Sequence, residues 1–377
     1  MSVAAHRRPP RDFRLSESMV FHNMILDPAR RATSAHPKRH AYHAGHSTLG
    51  RMTMRGFAMT AALALLAAIG SGPSPAKAEY PERPIRLVVP YAAGGSSDIV
   101  GRLFAERLEK KLGQPVVIEN AGGAGGAVGA QRVVAAEADG YTLLIGSGSE
   151  ILIRKLLQPT PYDGLKDLSS IAMIGTGPMV LVGKPLLSAA ALPDVLALAK
   201  AKPDTLSYGS AGAGTFMHLV GEAVKSHTST QIRHVAYRGA APLMTDVIAG
   251  HVELGVASLA SALPFIKGGQ ARAYAISSSS RVAFAPDIPA LAEFPGLGGF
   301  ELDLWIGLFG PAKLPAAIVD RLRTATDQIL DDPGLKAKLS DQAIVTRKLS
   351  GPDLATFLLD ANEKYRTIIR DGAIRIE

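Results

Sequence analysis

The sequence predicts an α/β fold in two lobes, on three observations. Short apolar runs alternate with longer amphipathic ones, the alternation is played through twice, and the chain turns helical from Pro315 onward. In the first pass, Ile85 to Val89, Val116 to Glu119, Thr142 to Ile145 and Met179 to Val182 have the length and branched composition of buried strands. Ile99 to Leu112 and Ala127 to Ala136 are the helices between them. The second pass runs helix Pro193 to Lys200, strand Leu206 to Ser210, helix Phe216 to Lys225, strand Gln231 to Val235, helix Pro242 to Ala249 and strand Val252 to Ala257. Such alternation builds βαβ units around mainly parallel sheets. The return consists of helices Ala316 to Leu330, Gly334 to Lys338 and Pro352 to Ile369.

Helix punctuation marks where these elements begin and end. Ser96 or Ser97 is expected to cap the first helix, with Asp98 in its first turn and Gly113 as a left-handed stop. Thr215 is expected to cap the helix that carries His218, and Pro242 suits a first helical position, with Gly250 past its end.

Two of these helix starts follow glycine turns. Tyr91-Ala-Ala-Gly-Gly-Ser-Ser-Asp98 lies between a strand and a helix, and so does Gly209-Ser-Ala-Gly-Ala-Gly-Thr215. Each aims free backbone N–H groups and the positive end of a helix dipole at one point, which suits an anion. Two such points in a secreted chain suggest a carboxylate receptor.

Secretion is expected from residues 51 to 78. Arg51 to Arg55 is basic, Ala58 to Ile69 is an apolar run, and Ala76-Lys-Ala78 is a small-x-small triplet, so cleavage is expected after Ala78. Met52 or Met54 would be a natural start for this leader. The full chain of 377 residues carries a formal charge of +8, but 11 of its 41 basic and 3 of its 33 acidic residues fall in the first 78. The remaining 299 residues hold 30 of each and are formally neutral, so no phosphate-tracking surface and no nucleic-acid partner is implied. With no cysteine there is no thiolate metal site and no lipid-modified cysteine at the new N-terminus, so a soluble periplasmic product is expected. His218 and Glu222 share a helix face, but no third ligand is spaced to complete a metal site.

The residues also resemble a known family, the extracytoplasmic solute receptors of the tripartite tricarboxylate transporters, also called the Bug family. The resemblance spans essentially all of the chain after residue 78. It is carried by Tyr80-Pro-Glu-Arg-Pro-Ile85, Pro90-Tyr-Ala-Ala-Gly-Gly-Ser-Ser-Asp98, Leu112-Gly-Gln-Pro-Val-Val-Ile-Glu-Asn120 and Gly123-Ala-Gly-Gly126. It continues in Ala138-Asp-Gly-Tyr-Thr-Leu-Leu144, Tyr208 to Thr215, His218-Leu-Val-Gly-Glu222, His234-Val-Ala-Tyr-Arg-Gly239 and Trp305-Ile-Gly-Leu-Phe-Gly-Pro311.

What the resemblance implies is a type II periplasmic binding protein fold, two α/β lobes with a two-strand hinge that closes on a small organic acid. Lobe 1 would comprise residues 79–182 plus 303–377, and lobe 2 residues 183–302. Carried onto this chain, the ligand contacts of lobe 1 would come from Tyr91, Ala93, Gly94, Ser96, Ser97, Asp98, Ser147 and Gly148. Those of lobe 2 would come from Ser210, Ala213, Gly214, Thr215 and His218, with Tyr237 and Arg238 at the border of the cleft. No cofactor is implied. The ligand would be a di- or tricarboxylate, an aromatic acid or an acidic amino acid, and the partner a membrane permease.

Some positions depart from the family pattern. Ala121-Gly122 stands where Arg-Pro usually follows the asparagine, Ala93 replaces a frequent proline, and Ser258 stands where an acidic or amide residue often ends the strand. The last change weakens the case for a ligand amino group and leaves the far half of the ligand open.

Two enzyme classes compete. Gly122 to Gly129, with Glu150 downstream, resembles a dinucleotide-binding unit, but its glycine spacing fails by one residue and a secreted chain is remote from cytoplasmic NAD. A secreted hydrolase would need a nucleophile such as Ser210, which lacks the glycine two residues before it.

Overall fold

The computed structural model describes residues 79–376, which build two mixed sheets flanked by helices. The leader and its expected cleavage site lie outside the described residues. In the first sheet, strand β1 (Ile85–Val89) pairs in parallel with β2 (Val116–Asn120) and β3 (Thr142–Ser147). Helix α1 (Ser96–Leu112) joins β1 to β2, and its buried Val100, Phe104, Leu108 and Leu112 recur every fourth residue to make one apolar stripe. It stops at Gly113, whose φ of 73° is left-handed. Helix α2 (Ala127–Val134) joins β2 to β3.

After β3 the chain winds through a π-helical turn, Ser149–Ile153, into the short helix α3 (Arg154–Leu157) and then β4 (Leu168–Gly177). Pro178 separates β4 from β5 (Met179–Gly183), and β5 belongs to the second sheet. The sheet boundary therefore falls before Met179, ahead of the expected lobe boundary at 183.

The second sheet holds β6 (Ser207–Ser210), β7 (Arg233–Ala236), β8 (Leu254–Ser258) and β9 (Arg272–Ile276), in the order β7-β6-β8-β5-β9. Its helices are α4 (Leu192–Ala201), α5 (Phe216–Thr228), α6 (Ala240–Ala249) and α7 (Leu259–Lys267). The chain then returns to the first sheet as β10 (Leu304–Pro311), antiparallel between β3 and β4. It ends in α8 (Ala316–Asp331), α9 (Pro333–Asp341), β11 (Val345–Ser350) and α10 (Gly351–Asp371).

The two crossings lie side by side. The Met179 N–H donates to Ser277 Oγ at 2.9 Å, Ser277 Oγ–H donates to Asp303 at 2.8 Å, and Ser278 Oγ–H reaches the same carboxylate at 2.8 Å. This serine and aspartate cluster ties the two crossings together. Burial pushes the Asp303 carboxyl above its usual range.

Several elements depart from the sequence reading, α3 among them. β4, β9, β10 and α7 fall in stretches with no predicted element, and β11 interrupts the C-terminal segment read as helical. β10 is buried along its whole length, so it shows no alternation, and its two glycines resemble turn residues. β11 is a charged edge strand, and α7 carries Pro264 in its interior. No helix among the described residues is long and apolar enough to cross a membrane.

Candidate functional site

The cleft between the sheets lies at the carboxyl ends of β1 and β3, where ligands of open α/β sheets sit. A narrow void of about 20 Å3 is lined by Tyr91, Gly95, Ser96, Ser97, Ser147 and Ser149 from the first lobe, Ala211, Met217 and Ala240 from the second, and Leu304. No charged side chain lines it. Of the residues expected to contact a ligand, Tyr91, Ser96, Ser97 and Ser147 are on this wall.

The glycine turn after β1 explains the first-lobe side. Gly94 takes a φ of 87°, which a side chain disfavours, and Gly95 rather than Ser96 or Ser97 occupies the N-cap of α1. No side chain caps this helix, so the first-turn N–H groups of Ser96 and Ser97 are left for another acceptor. Asp98 turns back into the turn. Its carboxylate accepts from the Gly94 N–H at 3.0 Å, from Arg102 Nε at 3.0 Å and from Asn120 Nδ2 at 2.9 Å; burial pushes this carboxyl up, but these bonds hold it below the usual carboxylate range.

On the second lobe the free helix start is not the expected one. At α5, Thr215 Oγ1 accepts the His218 N–H and Ser149 Oγ accepts the Phe216 N–H at 3.0 Å, so two of its donors are already used. At α6, Gly239 is the N-cap, with a φ of 149° and no side-chain cap, and Ala240 lines the void. Gly94 and Ala241 approach so closely that a Cβ on Gly94 would lie 3.5 Å from that of Ala241. Two uncapped helix starts, α1 and α6, thus face each other across the cleft.

The remaining expected contacts build turns. Ser210 is fully buried; its hydroxyl contacts Gly212 O at 3.1 Å and His234 Nε2 at 2.7 Å. Thr215 Oγ1–H donates to Gly212 O at 2.7 Å, and His218 Nδ1 accepts from the Gly214 N–H at 3.3 Å. His218 and Ala213 face a different, charged depression that also includes Lys225, Arg233 and Arg375. Tyr237 ties its hydroxyl to Asp246 at 2.8 Å, and Arg238 is exposed, with its carbonyl near Gly122. Ala93 and Gly94 form the exposed rim, while Gly148 packs against Phe216 and Trp305.

Beyond the serine and aspartate cluster, the lobes are joined by the Phe216 bond to Ser149 and by a hydrogen bond from Arg154 Nη1 to Ala213 O at 2.9 Å. The glycine loop that resembled a nucleotide cradle is packed shut. A Cβ on Gly125 would come within 2.5 Å of Ala213 O. Ser210 and His234 lack a third member, because among the described residues no carboxylate bonds His234, which instead stacks on His218 at 4.3 Å between ring centres.

Gly95, Ser149, Ala211, Met217, Ala240 and Leu304 were missed as wall residues. Gly95 and Ala211 lie within the two glycine turns already singled out, and Gly239-Ala240, a glycine before a helix, carried a signal of the same kind.

A larger depression lined by Arg83, Arg86, Glu119 and Asp139 opens at the opposite, N-terminal strand ends. That is the wrong end of a parallel sheet for a ligand.

Residues 100–374 match the profile of the tripartite tricarboxylate transporter family receptor. A UPF0065 protein of Agrobacterium vitis is 37% identical over 258 residues, 68% of this chain and 74% of its own. Two solved structures from Rhodopseudomonas palustris are each 28% identical with a TM-score of 0.74. Rpa4515 with adipate covers 79% of this chain and 99% of its own, and MatC with bound malate covers 77% and 100%. By profile, sequence and fold, the chain belongs to the tripartite tricarboxylate transporter receptor family.

Proposed function

We propose that this protein is a periplasmic solute-binding receptor, and not an enzyme, which captures a small organic carboxylate between its lobes and delivers it to a tripartite tricarboxylate transporter permease. The observation that carries this is the pair of uncapped helix starts, α1 and α6, facing each other over a wall that holds no charged side chain. An anion there meets oriented N–H groups without a charged partner. The relatives with adipate and malate bound support the ligand class.

The magnitudes divide the work. A micromolar receptor needs about −8 kcal/mol in all. Each helix end supplies about 0.3 to 2 kcal/mol. The dipoles therefore orient the carboxylate, while hydrogen bonds and burial on closure supply most of the affinity. Only contacts made better in the closed form favour closure.

A thermal-shift screen of residues 79–377 against organic acids, aromatic acids, amino acids and NAD(P), with calorimetry on each hit, tests this function. An acid at 100 times its dissociation constant stabilises the fold by about 2.7 kcal/mol. A single-site carboxylate hit is expected; a nucleotide hit, or silence across all acids, overturns it.

A further inference from the structure

Glu150 is an acid buried directly behind the cleft wall. It is 1% exposed and sits in the π-helical turn beside Ser149. Oε1 accepts the Ser147 N–H, and Oε2 accepts both the Ser147 hydroxyl proton at 2.9 Å and the Tyr91 hydroxyl proton at 2.7 Å. The other titratable groups around it are Tyr162, which donates to the Glu150 carbonyl at 2.8 Å, and Arg154, whose guanidinium is turned to Ala213. Among the described residues no cation pairs with it.

Ser147 and Tyr91 both line the void. A hydroxyl has one proton and two lone pairs. With both protons turned to Glu150, the oxygens have only lone pairs left to offer, and one on Ser147 already takes the Ser149 N–H at 3.4 Å, while the Tyr91 hydroxyl also lies 3.3 Å from Gly125 O. They can accept from a ligand but not donate to it.

We propose that Glu150 is a positioning residue for ligand selection. By holding the Ser147 and Tyr91 protons, it makes this wall an acceptor surface that takes a hydroxyl or ammonium donor of the ligand and disfavours a bare methylene or a second carboxylate there. The proposal rests on the receptor function above and adds which side group the anchored acid carries. Burial pushes the Glu150 carboxyl up to about 7, so the acceptor wall is fully set above neutrality. Protonated Glu150, or a glutamine amide, donates to one of the two oxygens and frees a hydroxyl proton to face the cleft.

The test is calorimetry with matched acids that differ by one hydroxyl, malate against succinate and 2-hydroxyadipate against adipate. Wild type, Glu150→Gln and Tyr91→Phe are compared at pH 8 and pH 6. Wild type at pH 8 is expected to bind a hydroxy acid about tenfold more tightly than its plain partner, the worth of one good hydrogen bond. That ratio should shrink to about threefold or less in Glu150→Gln at both pH values, and in wild type at pH 6. Tyr91→Phe keeps the Glu150 bond to Ser147 and should weaken the hydroxy acid selectively, so it decides the matter if Glu150→Gln does not fold. No hydroxyl preference in wild type, or the same ratio in a folded Glu150→Gln, overturns the proposal and leaves the receptor function standing. Silence with all four acids overturns the proposal, and silence across the wider acid screen removes the receptor function as well.

Discussion

Arg154 Nη1 donates to the backbone carbonyl of Ala213 at 2.9 Å, and this bond ties the π-turn end of one lobe to the glycine turn of the other. A bond across the lobes that opening would break adds to the closed population. Arg154→Ala should weaken ligand binding about tenfold, since a hydrogen bond to a charged donor is worth about 1.5 to 3 kcal/mol and a less populated closed form lowers apparent affinity. Calorimetric dissociation constants check this. An unchanged constant would show that the contact is incidental to closure.

Ser97 and Ser210 separate the wall from its support. Ser97→Phe should fill the void and abolish ligand-induced stabilisation, while overpacking costs the apo fold about 1 to 3 kcal/mol. Ser210→Ala leaves Gly212 and His234 short of a partner and should cost about 1 to 3 kcal/mol of stability. Its affinity should be unchanged, because its hydroxyl is taken up by Gly212 and His234 and Ser210 does not line the void. Melting curves with and without ligand distinguish the two.

Stability should fall with rising pH through the Glu150 titration. Its carboxyl is raised from the ordinary 4.5 to about 7 by burial, so between those values the folded state holds a proton that the unfolded state has lost. The stabilisation is complete below pH 4.5 and is lost as pH climbs through 7. Its size is about 3 kcal/mol as an upper bound. In Glu150→Gln, urea unfolding should lose this slope between pH 5 and pH 8. A parallel slope in both proteins would refute the assignment.

His234 gives the opposite sign. Burial first, then His218 and Lys225, push its imidazole down to about 3, so below about 6.5 the unfolded chain takes up a proton that the folded one refuses. Stability is lost as pH falls from 6.5 toward 3. His234→Gln should unfold over a shallower acid limb than wild type, and an identical limb would rule this out.

The alternating core was legible because each parallel strand and its following helix keep a local period, as Ile85 to Leu112 does. β10 was not, since its identity depends on antiparallel partners from β3 and β4 that bury it on all sides. The turn at Gly94 was legible for a similar local reason. Which helix start stays free was not. α5 loses a donor to Ser149, 67 residues earlier, and Asp98 is drawn from the cleft by Asn120, 22 residues later. Such distant partners decide whether a polar side chain faces the ligand or the turn. Sequence proximity to a glycine turn singled out the two turns beside the void, but not which of their side chains bond within the turn.

The central claim is that a carboxylate sits between the α1 and α6 starts. An amide 1H–15N titration with the best-bound acid tests it most directly. The Ser96, Ser97 and Ala240 amides should shift together and saturate at one equivalent, with larger changes than the Gly214 and His218 amides. Largest shifts around Lys225, Arg233 and Arg375, with the α1 and α6 amides unmoved, would contradict it.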